Sequence, residues 1–320
     1  MQKRYQWKLK QREIVLGGRT LLMGILNITP DSFSDGGKYS DPDAAFARAL
    51  EIEDEGADIL DIGAESTRPG SQRISEAEEL RRLIPVLKRL HGKLGIPISV
   101  DTYKSGVADK ALEHGAEIIN DPSGILLDLP IAKIVNKYDA GLIINHMRGT
   151  PETWSRLPPI KDLMRSLAID LEASIHRARQ GGVAKQQMVI DPGLGFGKRR
   201  EQNSEIIAKL ELLHAFDLPL AIGPSRKSFL RKEEEMDTEF ATAAAVTACI
   251  LNGAQILRVH DVKKMKNVVD VADTIREFGS REEEPQPTQT RQPMLPPGPL
   301  QQNRLRPQLR KDRPAESQER

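Results

Sequence analysis

The 320-residue chain has one cysteine, Cys249, which excludes an intramolecular disulfide and any cysteine-rich metal site and suits a reducing cytoplasm. Within the Ala-rich run AAAVTACILNG that thiol is expected to be a core residue of a buried helix. An excess of charge of either sign is also lacking. The 47 basic and 46 acidic side chains leave +1, so no global field draws the chain to nucleic acid or to an anionic membrane, and any anion site must be local. No stretch approaches the roughly 18 apolar residues of a membrane span. The N-terminus, MQKRYQWKLKQREIV, alternates polar and apolar residues where a signal peptide would carry an apolar core of about 7–15 residues. These absences lead us to expect a soluble, cytoplasmic protein. Aromatic residues are only 4% of the total, so with 38% hydrophobic residues the core must be mainly aliphatic.

Composition changes after Gly279. Residues 280–320 are rich in Pro, Gln and Arg and nearly free of β-branched and aromatic side chains, too little apolar surface to offset ordering entropy, and are expected to be a disordered tail. Residues 1–279 are then the folded domain.

Between residues 21 and 278, short apolar runs alternate with longer amphipathic segments, as in repeated βα units. The candidate strands are LLMGILN (21–27), ADILDIG (57–63), IPISVD (96–101), AEIIND (116–121), AGLIINH (140–146), QMVIDPG (187–193), LPLAIG (218–223) and QILRVHD (255–261). Asp41 and Ser75 are candidate helix N-caps, Pro42 suits a first helical position, and Gly56 and Gly115 fall where C-terminal caps belong. Eight strands with right-handed crossovers close most simply into an α/β fold of the (β/α)8 barrel type. The first twenty residues, with Gly17-Gly18 between apolar-alternating runs, are expected to form a hairpin closing the barrel bottom.

In such barrels the chemistry sits where the strands end at their C-terminal side. Polar residues collect there: Asn27, Asp61, Asp101, Asn120-Asp121, Asn145-His146, Asp191, Ser225-Arg226-Lys227, Arg258 and His260. Asp101, Asn120 and Asp191 follow β-branched runs and are expected to face the mouth. A buried unpaired carboxylate there is costly without a ligand or cation. Two carboxylates, an amide and Lys227 suit a flat heterocycle with alternating donors and acceptors, and Phe196 in DPGLGFGK offers it a face. Arg68, Lys227, Ser228, Arg258 and His260 form a second, anion-seeking set. The first βα loop, NITPDSFSDGGKYSDP, has the length and Gly/Ser/Asp density of a mobile loop that closes over a site.

In order along the chain, LMGILNITPDSFSDGG, DIGAESTRPG, ISVDTYKSGVADKAL, GAEIINDPSG, NHMRGTP, DPGLGFGK, GPSRKSFL and ILRVHDV resemble the motifs of the dihydropteroate synthase family of pterin-binding barrels. The resemblance covers about residues 5 to 278. It implies a transferase of folate biosynthesis that condenses a pterin methyl diphosphate with 4-aminobenzoate. It further implies that Asp101, Asn120, Asp191 and Lys227 hold the pterin, with Met147 and Phe196 packed near it. Asn27, Arg258 and His260 engage the diphosphate, Asn27 through Mg²⁺, and Phe33, Ser34, Thr67, Arg68, Pro69 and Ser228 receive the 4-aminobenzoate. Asp101, Lys227, Arg258 and His260 are the expected catalytic groups, with Asp35 sealing the site from the mobile loop. The family, with the Ala-rich helix near residues 242–251, also leads us to expect a homodimer. Two alternatives differ in their predictions. A methyltetrahydrofolate-dependent methyltransferase on the same barrel should lack SRKS and TPDSFSDGG, and a non-catalytic pterin-binding homologue should show damaged motifs. Arg231 and the acidic EEEMDTEF segment depart from the family pattern, as does the stretch after Trp154.

Overall fold

The structure is a computed structural model that describes residues 3–29, 42–66 and 70–279. The expectations for Phe33, Ser34, Asp35, Thr67, Arg68, Pro69, the Asp41 cap and the 280–320 tail lie outside the described residues. All eight expected strands form. They are β3 (Leu21–Asn27), β4 (Ile59–Gly63), β5 (Ile98–Asp101), β6 (Ile118–Asp121), β7 (Gly141–Asn145), β8 (Met188–Asp191), β9 (Ala221–Ile222) and β10 (Ile256–Val259). They pair in parallel in the order β8-β7-β6-β5-β4-β3-β10-β9. A further parallel bridge, Ile190 to Leu220, with Ile190 N donating to the Pro219 carbonyl at 3.0 Å, closes the sheet into a barrel. The strand β9 is two residues long where six were expected. Pro219 and Pro224 flank it, and neither has an N–H to give a ladder.

Each strand reads as a continuous apolar run because both faces are covered. In β3, Leu21 and Met23 face the barrel interior, while Leu22 and Leu26 pack outward into the larger cluster shared with the helices. Helices α1 (Pro42–Asp54), α2 (Glu76–Leu90), α3 (Ser105–Glu113), α4 (Ile131–Lys137), α5 (Leu163–Gln180), α6 (Arg200–Ala208), α7 (Glu235–Leu251) and α8 (Val262–Gly279) surround it. On α2 the spacing Leu83, Val86, Leu87, Leu90 buries one stripe. Ser75 caps it by accepting from Glu78 N at 3.2 Å, and acids in the first turn and Lys88 and Arg89 in the last suit the helix dipole. Pro42 begins α1 as expected. Cys249 is fully buried in α7, and burial pushes its thiol well above the ordinary range. No helix among the described residues is long and apolar enough to cross a membrane.

The hairpin beneath the barrel is β1 (Tyr5–Lys8) with β2 (Glu13–Leu16), antiparallel in the register Tyr5 to Leu16. Its reversal lies at Leu9 to Arg12, where Leu9 N donates to the Arg12 carbonyl at 2.9 Å. The Gly17-Gly18 pair instead links the hairpin to β3. Gly17 has φ +91°, and a Cβ there would stand 2.2 Å from the Lys3 carbonyl oxygen, so only glycine fits. From the hairpin, Trp7, Leu9 and Leu16 join Leu21, Met23, Ile59, Ile118, Ile143, Val189, Ala221 and Ile256 in one inner cluster. The Trp7 indole N–H donates to the Gln187 carbonyl at 2.9 Å, so this plug leaves no polar group of the ring unmet. The barrel is closed from below.

Candidate active site

Because side chains on a strand alternate between faces, the residue two positions after each inner aliphatic also faces inward. The sequence changes character over that step. Ile59 is followed by Asp61, Ile118 by Asn120, Ile143 by Asn145, Val189 by Asp191 and Ile256 by Arg258. Asp101 and Asn27 occupy the matching places at the ends of β5 and β3. The register sets them side by side, Asn27 opposite Gly63, Gly63 opposite Asp101, Asp101 opposite Asn120, and Asn145 opposite Asp191.

Arg258 organises one half of this mouth. Its Nε donates to Asp61 Oδ2 at 2.6 Å and its Nη2 to Asp101 Oδ2 at 2.9 Å, while Asn120 Nδ2 donates to the same Asp61 oxygen at 3.3 Å. Asp61 is completely buried. Its other oxygen has no hydrogen-bond partner, nor do Oδ1 of Asn120, Oδ1 of Asn145 and Oγ of Ser99, all buried. Each such atom costs about 1–3 kcal/mol when left dry, so their concentration along the inner wall is a feature the fold does not need for stability. Burial pushes the Asp101 carboxyl up to about 7 against the pull of Arg258, with Asp61 adding to the rise. Asp191 is pushed up to about 6 by burial, opposed by the Gly193 N–H that donates to it at 2.7 Å and by the charge of Lys227. Burial and the Arg258 charge bring Lys227 down to about 8. These three groups change protonation near neutrality, as groups at functional sites often do.

The other half is a platform. Met147, Trp154 and Phe196 form a small apolar cluster, with Trp154 edge-on to Phe196 at 5.1 Å between centroids. Lys227 Nζ stands 4.2 Å from the Phe196 ring centre. The loop carrying Phe196 runs close against β7. A Cβ on Gly193, which has φ +69°, would lie 1.9 Å from the His146 carbonyl oxygen.

At the end of β10, the His260 amide donates to Ser225 Oγ at 3.2 Å, and that hydroxyl lies 3.0 Å from His260 Nδ1. Ser228 is exposed and Asn27 is partly exposed. Arg226, at φ +54°, turns away and pairs with Glu239 at 2.9 Å.

Two of the strand-end polar residues are structural. Asp121 accepts from Ser123 N and Oγ, both at 2.8 Å, and from Ile125 N at 2.7 Å, which shapes the loop after β6. His146 turns its ring toward Asp170 at 3.1 Å, and burial holds it down to about 4, hence neutral. Conversely, Asp61 and Asn145, which the sequence places among the strand-end polar residues without a specific role, and Lys198, which it does not single out, belong to the site region. For the first two, the signal was the two-residue step from an inner aliphatic.

Fold and mouth together define a (β/α)8 barrel whose mouth gathers buried charged and amide groups beside an apolar platform. The comparisons with known proteins agree. A family model described as pterin binding enzyme matches residues 23–260. A dihydropteroate synthase of Synechocystis sp. is 41% identical over 263 residues, covering 81% of this chain and 91% of that protein. Among solved structures, the Yersinia pestis dihydropteroate synthase in complex with a sulfonamide drug superposes with a TM-score of 0.79 at 36% identity, covering 84% of this chain and 99% of the other. The Xanthomonas albilineans dihydropteroate synthase with 4-aminobenzoic acid gives a TM-score of 0.77 at 36% identity, covering 85% and 98%. The chain belongs to the dihydropteroate synthase family of pterin-binding transferases.

Proposed function

We propose that this chain condenses (7,8-dihydropterin-6-yl)methyl diphosphate with 4-aminobenzoate, giving 7,8-dihydropteroate and diphosphate. The observation that carries the reading is the row of buried, partly unpartnered polar groups on the inner wall beside the Phe196 platform. A pterin edge alternates ring N–H and amino donors with ring nitrogen and carbonyl acceptors. Asp101 and Asp191 accept from it, Asn120 does both, and Lys227 donates, while Met147 and Phe196 pack on its face.

Arg258 and His260 receive the diphosphate at the same rim, Arg258 from a position now shared by two carboxylates. In the reaction the bond from the methylene carbon to the diphosphate oxygen breaks, and diphosphate leaves with the electron pair. The amine lone pair of 4-aminobenzoate forms the new C–N bond, and that nitrogen then loses a proton. Asp101 and Asp191 stabilise positive charge on the pterin, and Arg258 and His260 stabilise the departing charge. Phe33, Ser34, Thr67, Arg68, Pro69 and Ser228 are proposed to receive the 4-aminobenzoate, with Asp35 sealing the site.

A Mg²⁺ ion is part of the proposal. Mg²⁺ takes few protein ligands and keeps waters and phosphate oxygens, and the partly exposed carboxamide of Asn27 at the rim is a hard oxygen donor of that kind. When bound it would offset diphosphate charge, and Asn27 would hold it. We also read the enzyme as cytoplasmic and as a homodimer. The dimer reading is supported by the exposed stripe of Met236, Phe240 and Leu251 on α7 beside Val271 and Ile275 on the adjoining α8.

The test is turnover by the purified full chain with both substrates and Mg²⁺. Dihydropteroate is the expected product, and none under conditions that support a control synthase overturns the reading. Lys227→Ala should lose roughly 10²–10³-fold in kcat with an unchanged melting temperature.

A further inference from the structure

Lys198 directly follows the glycine-rich β8 loop and has no assigned role. Its ammonium donates to three backbone carbonyls, Gly193 at 2.7 Å, His146 at 3.1 Å and Phe196 at 3.3 Å. A lysine has three N–H donors, so the group is saturated. All three acceptors are main-chain atoms, and they come from two strand ends. His146 follows β7, while Gly193 and Phe196 lie in the loop after β8. Partly burying a cation with no carboxylate at contact distance among the described residues is unfavourable, and burial brings Lys198 down to about 7. Such an arrangement is expected where it holds a shape that the loop does not adopt unaided.

The loop needs holding. Gly193, Gly195 and Gly197 all have positive φ, and glycines are the residues with most conformational freedom to lose. Phe196 sits among them and meets Trp154 with its edge contact on one side and Lys227 on another.

We infer that Lys198 is a positioning residue, whose ammonium clamps the β8 loop to the end of β7 and so presents the Phe196 ring to the pterin. The clamp also puts a positive charge close enough to Asp191 to favour its ionised form. The inference rests on the pterin reading of this mouth, and it predicts selectivity between the two substrates. A merely structural lysine would affect both alike.

The experiment compares Lys198→Met, which keeps the length and removes every donor, with Lys198→Gln, which retains one amide. Steady-state KM is measured for each substrate, and 6-methylpterin is titrated calorimetrically as a readout that needs no turnover. Lys198→Met should raise the KM for the pterin diphosphate and the 6-methylpterin Kd about tenfold, with the KM for 4-aminobenzoate within about twofold of the parent. Lys198→Gln should fall between, and it carries the same test if the Met variant does not fold. Equal shifts for both substrates, or unchanged pterin affinity in a folded variant, overturn the inference. A parent protein that binds 6-methylpterin but makes no product contradicts the proposed reaction while leaving the clamp to be judged by Kd. A parent that does neither overturns both.

Discussion

The two ends of one barrel interior are built from the same strands and differ in nearly everything else. At the bottom, Trp7, Leu9 and Leu16 from the hairpin fill the space between Met23, Ile59, Ile143 and Val189, and the one polar ring atom, the Trp7 N–H, is bonded. One pleat higher, the same inner face carries Asp61, Asp101, Asn120, Asn145, Asp191 and Arg258, with several polar atoms lacking partners and carboxylates displaced toward neutrality. Among the described residues the lower end leaves one buried polar atom unpaired, Gln255 Nε2, where the upper end leaves several side by side. The difference separates what makes the barrel stable from what makes it reactive over about two residues of each strand.

The largest effect should come from Trp7→Ala. It should cost about 3–5 kcal/mol of stability by denaturant unfolding, as loss of a buried aromatic does, with kcat preserved well below the melting temperature. A loss of kcat on the scale of the loss of stability would show that the two ends are not separable.

Asp191→Asn tests the other end through pH. The folded carboxyl sits at about 6, above its ordinary 3.8, so the folded state binds the proton more tightly than the unfolded chain. Stability contributed by this group is therefore greatest below about pH 4 and is lost as pH rises through about 6. The asparagine has no such dependence. Relative to the parent, the variant should gain on the order of 2 kcal/mol between pH 4 and pH 7 while pterin affinity falls. Parallel stability curves across that range would contradict the assignment.

The smallest effect is expected at the rim of the plug. Arg12 Nε lies 3.2 Å from Glu117 Oε2, and its Nη1 donates to the Gly95 carbonyl at 2.7 Å. The guanidinium is about one-third exposed, so Arg12→Ala should cost about 1 kcal/mol and leave both KM values unchanged.

Much of this division is visible in the sequence. Eight apolar runs ending in polar residues are enough to predict the barrel and the end that carries chemistry, because both faces of a parallel strand are buried and the loops converge. Side-chain parity is less visible. Asn120-Asp121 and Asn145-His146 are adjacent pairs, and neighbours on a strand cannot both face inward, so one of each pair had to turn outward. Asp61 was obscured by its place within ILDIG, where a charge reads as a strand end until Arg258, nearly two hundred residues later, is known to meet it. Lys198 gave no signal, since a lysine after a glycine-rich loop has the same composition whether it is solvated or clamped. The two-residue length of β9 was legible in its flanking prolines, and the expected six-residue strand ignored them.

The plugged bottom has a kinetic meaning. The aliphatic layer beneath the mouth blocks any passage through the barrel, so two reactants stacked at the mouth must arrive and depart on that one side. On the proposed reading the pterin lies against the inner wall and the 4-aminobenzoate nearer the entrance. The hairpin of residues 5–16 seals the core beneath them, and on that reading the deeper molecule is expected to enter first and the joined product to leave in one piece on the same side.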